Sequence, residues 1–147
     1  SGDEYGANLA GELARQRQKG AEFCVFGDID LPGHLEWCPR RGEEAGIGAL
    51  FPLWGESRRD LVYEGLRAGF QPRLTIVDTE RLPASFLGRT LTEALAEEIA
   101  GAGADICGEN GEYHTFVEAG PLFAHPIPVS YGPPVQDGKY FLLPMAE

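Results

Sequence analysis

The ten residues Cys107-Gly108-Glu109-Asn110-Gly111-Glu112-Tyr113-His114-Thr115-Phe116 constrain this chain more than any other stretch. A packing segment is not built from two glycines, two carboxylates, an asparagine, a histidine and a threonine in so short a space. Gly108 and Gly111 let the backbone reach positive φ and approach another group closely. The run Tyr113 to Val117 then reads as a strand, so polar groups on a glycine loop are anchored to a rigid support. Strand alternation predicts Glu112, His114 and Phe116 on one face and Tyr113, Thr115 and Val117 on the other, so that Glu112 and His114 could act together.

The rest of the chain reads in two parts. In the first, a helix is predicted over 4–19, with Leu9 and Leu13 on one face and Gly20 as its stop. Phe23-Cys24-Val25-Phe26 reads as a buried strand that ends in Gly27-Asp28-Ile29-Asp30. Asp28 is thereby placed beyond the carboxyl end of a strand, where open α/β sheets bind ligands. Asp30 reads as a turn residue. A helix over about 34–45 follows, interrupted by Pro39, and a short strand over 48–53. This rhythm is α/β with parallel pairing.

The second part reads as α+β. Ser57 is the expected N-cap of a helix over 58–68. A strand is predicted over 70–77, a connector over 83–88 and a helix over 90–101 capped by Thr90. Strands are expected at 113–118, 126–131 and 139–143. A domain boundary is expected at Trp54, giving residues 1–54 and 55–147.

Composition narrows the function classes. A net charge of −11 over 147 residues argues against a general nucleic-acid or anionic-membrane surface. No apolar run nears the roughly 20 residues needed to span a bilayer. The first residues do not read as a signal peptide, so a cytoplasmic setting is expected. Three widely spaced cysteines support neither a zinc ribbon nor a disulfide framework. Cys24 reads as a small core residue.

Taken together, several segments resemble the adenine-nucleotide alpha-hydrolase-like ATP pyrophosphatases, the PP-loop family that includes diphthine–ammonia ligase. They are Val25-Phe26-Gly27-Asp28-Ile29, Pro52-Leu53-Trp54, Gly69-Phe70, Leu87-Gly88-Arg89, the 107–116 loop and Gly120-Pro121-Leu122-Phe123. The resemblance spans about residues 4–129. Asn110 and His114 stand where diphthamide-forming members have Gly and Glu, which is more similar to bacterial relatives. Members also carry a strand followed by Ser-Gly-Gly-Lys-Asp-Ser, whose amides and lysine hold ATP phosphates. That motif is absent from this sequence, so either a fragment of a longer protein or a loop-less member is expected. The fragment is favoured, because a sheet without its first strands would expose an apolar edge.

The resemblance implies the latter part of a parallel-sheet PP-loop (HUP-like) domain followed by a smaller α+β substrate domain. It implies an ATP-dependent, AMP-forming amide ligase, with this chain carrying the acceptor side. The alternative is a non-catalytic small-molecule binding module that has lost ATP. ATP and Mg²⁺ are the implied cofactors, with Asp28 facing the phosphates or the metal. Glu112 and His114 are the candidate catalytic residues. Gly108, Glu109, Asn110, Gly111 and Thr115 are expected to bind the acceptor, and Arg89 a phosphate or carboxylate. The implied partners are a small-molecule or protein-side-chain carboxylate and ammonia or an amine. Neither nucleic acid nor membrane is expected, and a homodimer is an open assembly.

Overall fold

The structure, a computed structural model, describes residues 2–146, with side chains described from residue 4. The chain divides into two compact units, Ser1–Glu56 and Ser57–Glu147.

The first unit contains α1 (Gly2–Gln18), β1 (Phe23–Val25), α2 (Pro32–Ala45) and β2 (Gly48–Leu50). β1 and β2 pair in parallel, Phe23 opposite Gly48 and Val25 opposite Leu50, with α2 as the crossover. A parallel pair requires such a connection. α2 begins earlier than predicted because Pro32 suits the first helical turn, where its missing N–H would have no partner. The helix continues through Pro39 and ends at Gly46, whose φ of 69° lets its N–H reach Gly42 and Glu43. β2 stops at Leu50 rather than Leu53, since Pro52 cannot donate to a ladder and residues 52–55 turn. β1 is not the buried strand expected from its composition. Cys24 is half-buried, whereas Phe23 and Val25 are 59% and 63% exposed. Two strands give each residue few neighbours, and alternation sends Phe23 and Val25 to the uncovered face. Among the described residues the parallel sheet has these two strands, and the extended set of a PP-loop domain is not shown.

The second unit is α+β. α3 (Arg58–Ala68) starts at Ser57, whose hydroxyl accepts from Asp60 N–H at 3.4 Å, and stops at left-handed Gly69. β3 (Gln71–Asp78) is the spine of a four-stranded antiparallel sheet ordered β4-β3-β7-β6, with β4 Tyr113–Ala119, β6 Val135–Asp137 and β7 Tyr140–Leu142. β6 and β7 form a hairpin across Gly138-Lys139, so the predicted strand over 139–143 has a partner that was not anticipated. The predicted strand over 126–131 shrinks to β5 (Ser130–Tyr131), paired with β8 (Met145–Ala146).

α4 runs Glu93–Gly101 and is capped by Thr92, not Thr90. Thr92 Oγ1 accepts from Leu95 N–H at 3.1 Å. Thr90 is diverted into a bridge with Arg73, and Leu91 N–H bonds Pro72 C=O. Leu91, Leu95 and Ile99 do share the buried face of this segment, against Leu74, Val77, Leu82, Phe86, Ile106 and Tyr113. Each fully buried side chain there, such as Leu74 or Leu95, contributes about 1.5–3 kcal/mol. This core sits under the start of β4 and fixes the position of the loop that precedes it.

Candidate functional site

The 105–112 loop is folded around two carboxylates. Asp105 accepts from Cys107 N–H at 3.2 Å and Glu109 N–H at 2.9 Å, and it is paired with Arg58 at the start of α3. Glu112, 3% exposed, accepts from Asp105 N–H and Asn110 N–H, each at 3.1 Å. Asn110 Nδ2 and Arg81 Nη1 add two more contacts at 3.3 Å. Burial pushes the Glu112 carboxyl up, but the backbone donors, Asn110 and Arg81 outweigh it and hold the group below its ordinary pKa. Glu112 is therefore an anion that ties the loop to itself.

The glycines do as the sequence requires. Gly108 has φ 71°, and a Cβ there would lie 2.9 Å from Tyr113 O. Gly111 has φ 79° and closes a turn through Gly111 N–H to Gly108 C=O at 2.9 Å. Tyr113 is buried and donates its hydroxyl to Ile106 C=O. Burial and the neighbouring anions push this phenol well above its usual range, so it stays protonated.

The loop borders a concavity of about 380 Å³ lined by Cys107, Gly108, Glu109, Gly111, Tyr113, His114 and Thr115. Of the residues singled out from sequence, Gly108, Glu109, Gly111, His114 and Thr115 are thus brought together. Glu112 and Asn110 are in the loop but not on this lining. The predicted pairing of Glu112 with His114 on one face does not form: Glu112 is buried and His114 exposed. Burial along β4 does not alternate cleanly, with Tyr113 buried and both His114 and Thr115 exposed, while Glu112 lies in the bend before β4 and is drawn inward by two N–H groups. The register shift beside them lies on β3, where Thr75 is the extra residue between Leu74, opposite Thr115, and Ile76, opposite His114.

Arg89 is engaged elsewhere, in a bidentate pair with Glu98 at 2.7 and 2.8 Å and over the Phe86 ring. Asp28 belongs to the first unit, where its Oδ1 is held by His34 Nδ1 and its Oδ2 meets the Cys38 thiol at 3.9 Å. Asp105 was missed by sequence reasoning. The available signal was an Asp two residues before Cys107, the spacing of an Asx turn. His34 and Tyr113 were also missed as organising groups. Among the described residues, no cluster of three or more His, Cys, Asp or Glu could hold a metal ion.

A family model described as the diphthamide synthase C-terminal domain matches residues 57–140, more than half of the chain. The chain belongs to the diphthamide synthase C-terminal domain family. No curated protein matches it. The matched segment begins where the second compact unit begins. The diphthamide synthase domain thus contains the 105–112 loop, its concavity and the core beneath it, whereas Asp28 and its neighbours lie outside the matched segment.

Proposed function

We propose that this chain carries the acceptor side of an ATP-dependent, AMP-forming amide ligase resembling diphthine–ammonia ligase. The observation that supports this most is the stapled loop itself: a family-matched domain that spends two buried or half-buried carboxylates on fixing the backbone beside a polar concavity. In such a reaction a carboxylate attacks the ATP α-phosphate, pyrophosphate leaves, and an amine displaces AMP. The concavity would take the carboxylate acceptor, with Gly108, Glu109, Gly111 and Thr115 at its wall. His114, exposed at the same wall, is suited to accept the proton released by the attacking amine. Glu112 and Asn110 act at one remove, by holding the loop. Arg89, already committed to Glu98, has no part in this scheme.

ATP and Mg²⁺ are the cosubstrate and metal of the proposed reaction, and supply phosphoryl activation when bound. Asp28 does not fit them well. One of its oxygens is taken by His34, and its cleft brings neither a second carboxylate nor a lysine or arginine among the described lining residues. No step is assigned through Asp28. Completion of the short parallel sheet by further strands would cover Phe23, Val25 and Leu50, and a PP-loop domain is the completion we propose. A cytoplasmic setting and association into a homodimer also belong to this proposal. No helix among the described residues is long and apolar enough to cross a membrane.

The test is AMP release, measured with Mg·ATP, ammonium or an amine, and candidate carboxylates, on the chain alone and supplied with a PP-loop domain. His114→Ala is expected to cut turnover by roughly 10²–10⁴-fold, the usual worth of a positioned general base. Acceptor binding without AMP release in either setting would favour the binding module that has lost ATP. Absence of both would remove the ligase reading.

A further inference from the structure

The first unit contains a cleft that the proposed acceptor chemistry does not use. It has a volume of about 590 Å³ and is walled by Tyr5 and Leu9 of α1, Phe26 and Asp28 after β1, and His34, Trp37 and Cys38 of α2. Three of these are aromatic. Tyr5 and Trp37 stack with ring centroids 5.8 Å apart, and Phe26 stacks on Phe51 at 5.4 Å. The wall is therefore largely apolar.

Among the described lining residues, Asp28 is the one carboxylate. The Asp28 side chain is 18% exposed, so most of it is removed from water. His34 Nδ1 engages one oxygen. The other oxygen is met by the Cys38 thiol at 3.9 Å, a weak donor at long range that leaves most of its acceptor capacity unused. The thiol does not compete as an anion: burial and the nearby Asp28 charge push it up and keep it protonated. Among the described lining residues there is no lysine or arginine. A phosphate placed here would lie against the Asp28 carboxylate, with the His34 imidazole, already engaged by Asp28, as the one basic side chain among the described lining residues.

The opposite charge fits. An ammonium head can donate to Asp28 Oδ2 in place of the distant Cys38 thiol, and a charge-assisted bond of this kind is about twice as strong as a neutral one. An apolar or aromatic body can lie on the wall, where aromatic faces also attract cations. Trp37 already does this within the protein, with the Arg41 guanidinium 5.5 Å from its ring centroid. Size sharpens the choice. The cleft falls within the roughly 300–1,000 Å³ of pockets for whole organic ligands, far more than ammonia fills.

We infer that the Asp28 cleft binds an organic amine as its ammonium ion, with Asp28 as the counter-ion and Tyr5, Phe26 and Trp37 as the apolar wall. Its identification with the amine of amide synthesis rests on the ligase reading above; the binding itself does not. It replaces the assignment of Asp28 to Mg·ATP phosphates.

Isothermal titration of benzylammonium chloride into the 147-residue chain, without ATP or acceptor, is the test. Benzyl alcohol serves as the neutral ligand of similar shape and adenosine as the nucleobase control. Benzylammonium is expected to bind at least about tenfold tighter than benzyl alcohol, a difference of about 1.4 kcal/mol. Asp28→Asn, which keeps the side-chain shape, is expected to remove that preference. Trp37→Phe is expected to weaken benzylammonium while leaving the thermal melt in place, and Glu64→Gln to change nothing. Equal binding of alcohol and ammonium, an unchanged Asp28→Asn affinity, tighter binding of adenosine, or no heat with benzylammonium would each overturn the inference. Ammonium binding intact with no AMP release would instead count against the ligase reading alone.

Discussion

At the scale of single residues, the two carboxylates of the loop separate into roles that their sequence positions do not distinguish. Glu109 lines the concavity, while Glu112 is buried three residues later with both oxygens bonded. Replacing Glu112 by Gln keeps the shape but turns one acceptor into a donor that faces a backbone N–H. The expected cost is about 1–3 kcal/mol, the penalty for a buried donor left without its acceptor, read as a lowered urea midpoint at unchanged slope. His114→Ala, at an exposed position, should stay within about 0.5 kcal/mol of the parent while losing turnover. If Glu112→Gln leaves stability untouched but abolishes turnover, the loop has been read the wrong way round.

The same geometry sets a pH dependence. Glu118 is held low chiefly by Arg73, with Tyr131 adding a hydrogen bond, and Glu112 is held low against its own burial. A carboxylate with a depressed folded pKa stabilises the fold above its unfolded value, and the benefit is lost as pH falls through the folded value. Thermal stability of the second unit is thus expected to hold down to about pH 5 and to decline further into acid, less steeply in Glu112→Gln. A melting temperature that rises on acidification would contradict this sign. What was legible in the sequence at this scale was chemistry-bearing residue types and the glycines. What was not legible was which carboxylate points inward, because that depends on N–H groups presented by Asp105 and Asn110 after the chain has turned.

At the scale of elements, helix starts show how local signals compete with the sheet. Thr90 and Thr92 are both acceptable caps by type. Thr90 is claimed by the bridge to Arg73, and Leu91 N–H is claimed by Pro72, so the helix waits until Thr92. Thr92→Ala is expected to cost about 1 kcal/mol. Ser57→Ala should cost less, because its capping bond is 3.4 Å rather than 3.1 Å. Chemical denaturation of the two variants would decide the order, and an equal or reversed order would show that cap geometry is not what anchors α4. α3 was legible from Ser57 and Gly69, which cap its two ends through local bonds. β6 was not, since Val135-Gln136-Asp137 is exposed throughout and becomes a strand only because β7 pairs with it.

At the scale of the whole molecule, the two compact units differ in what they bury. The second has a core of fully buried side chains, including Leu74, Val77, Leu95 and Ile99. Residues 57–147 expressed alone are therefore expected to unfold cooperatively and to retain the protected amides of Asp105, Glu109 and Asn110 in hydrogen exchange. Rapid exchange at those amides would show that the loop needs more than its own domain. The first unit leaves Phe23, Val25 and Leu50 exposed around a two-stranded parallel sheet. The sequence by itself determined the 58–68 helix, the buried stripe of Leu91, Leu95 and Ile99, and the loop-then-strand character of 107–117, because each follows from residue type and local spacing. The tertiary structure alone decided that Glu112 turns inward while His114 faces out, that Arg89 is occupied by Glu98, and that Asp28 meets His34 in an aromatic cleft. Those outcomes depend on which donors and rings arrive from distant segments, and no local pattern encodes that meeting.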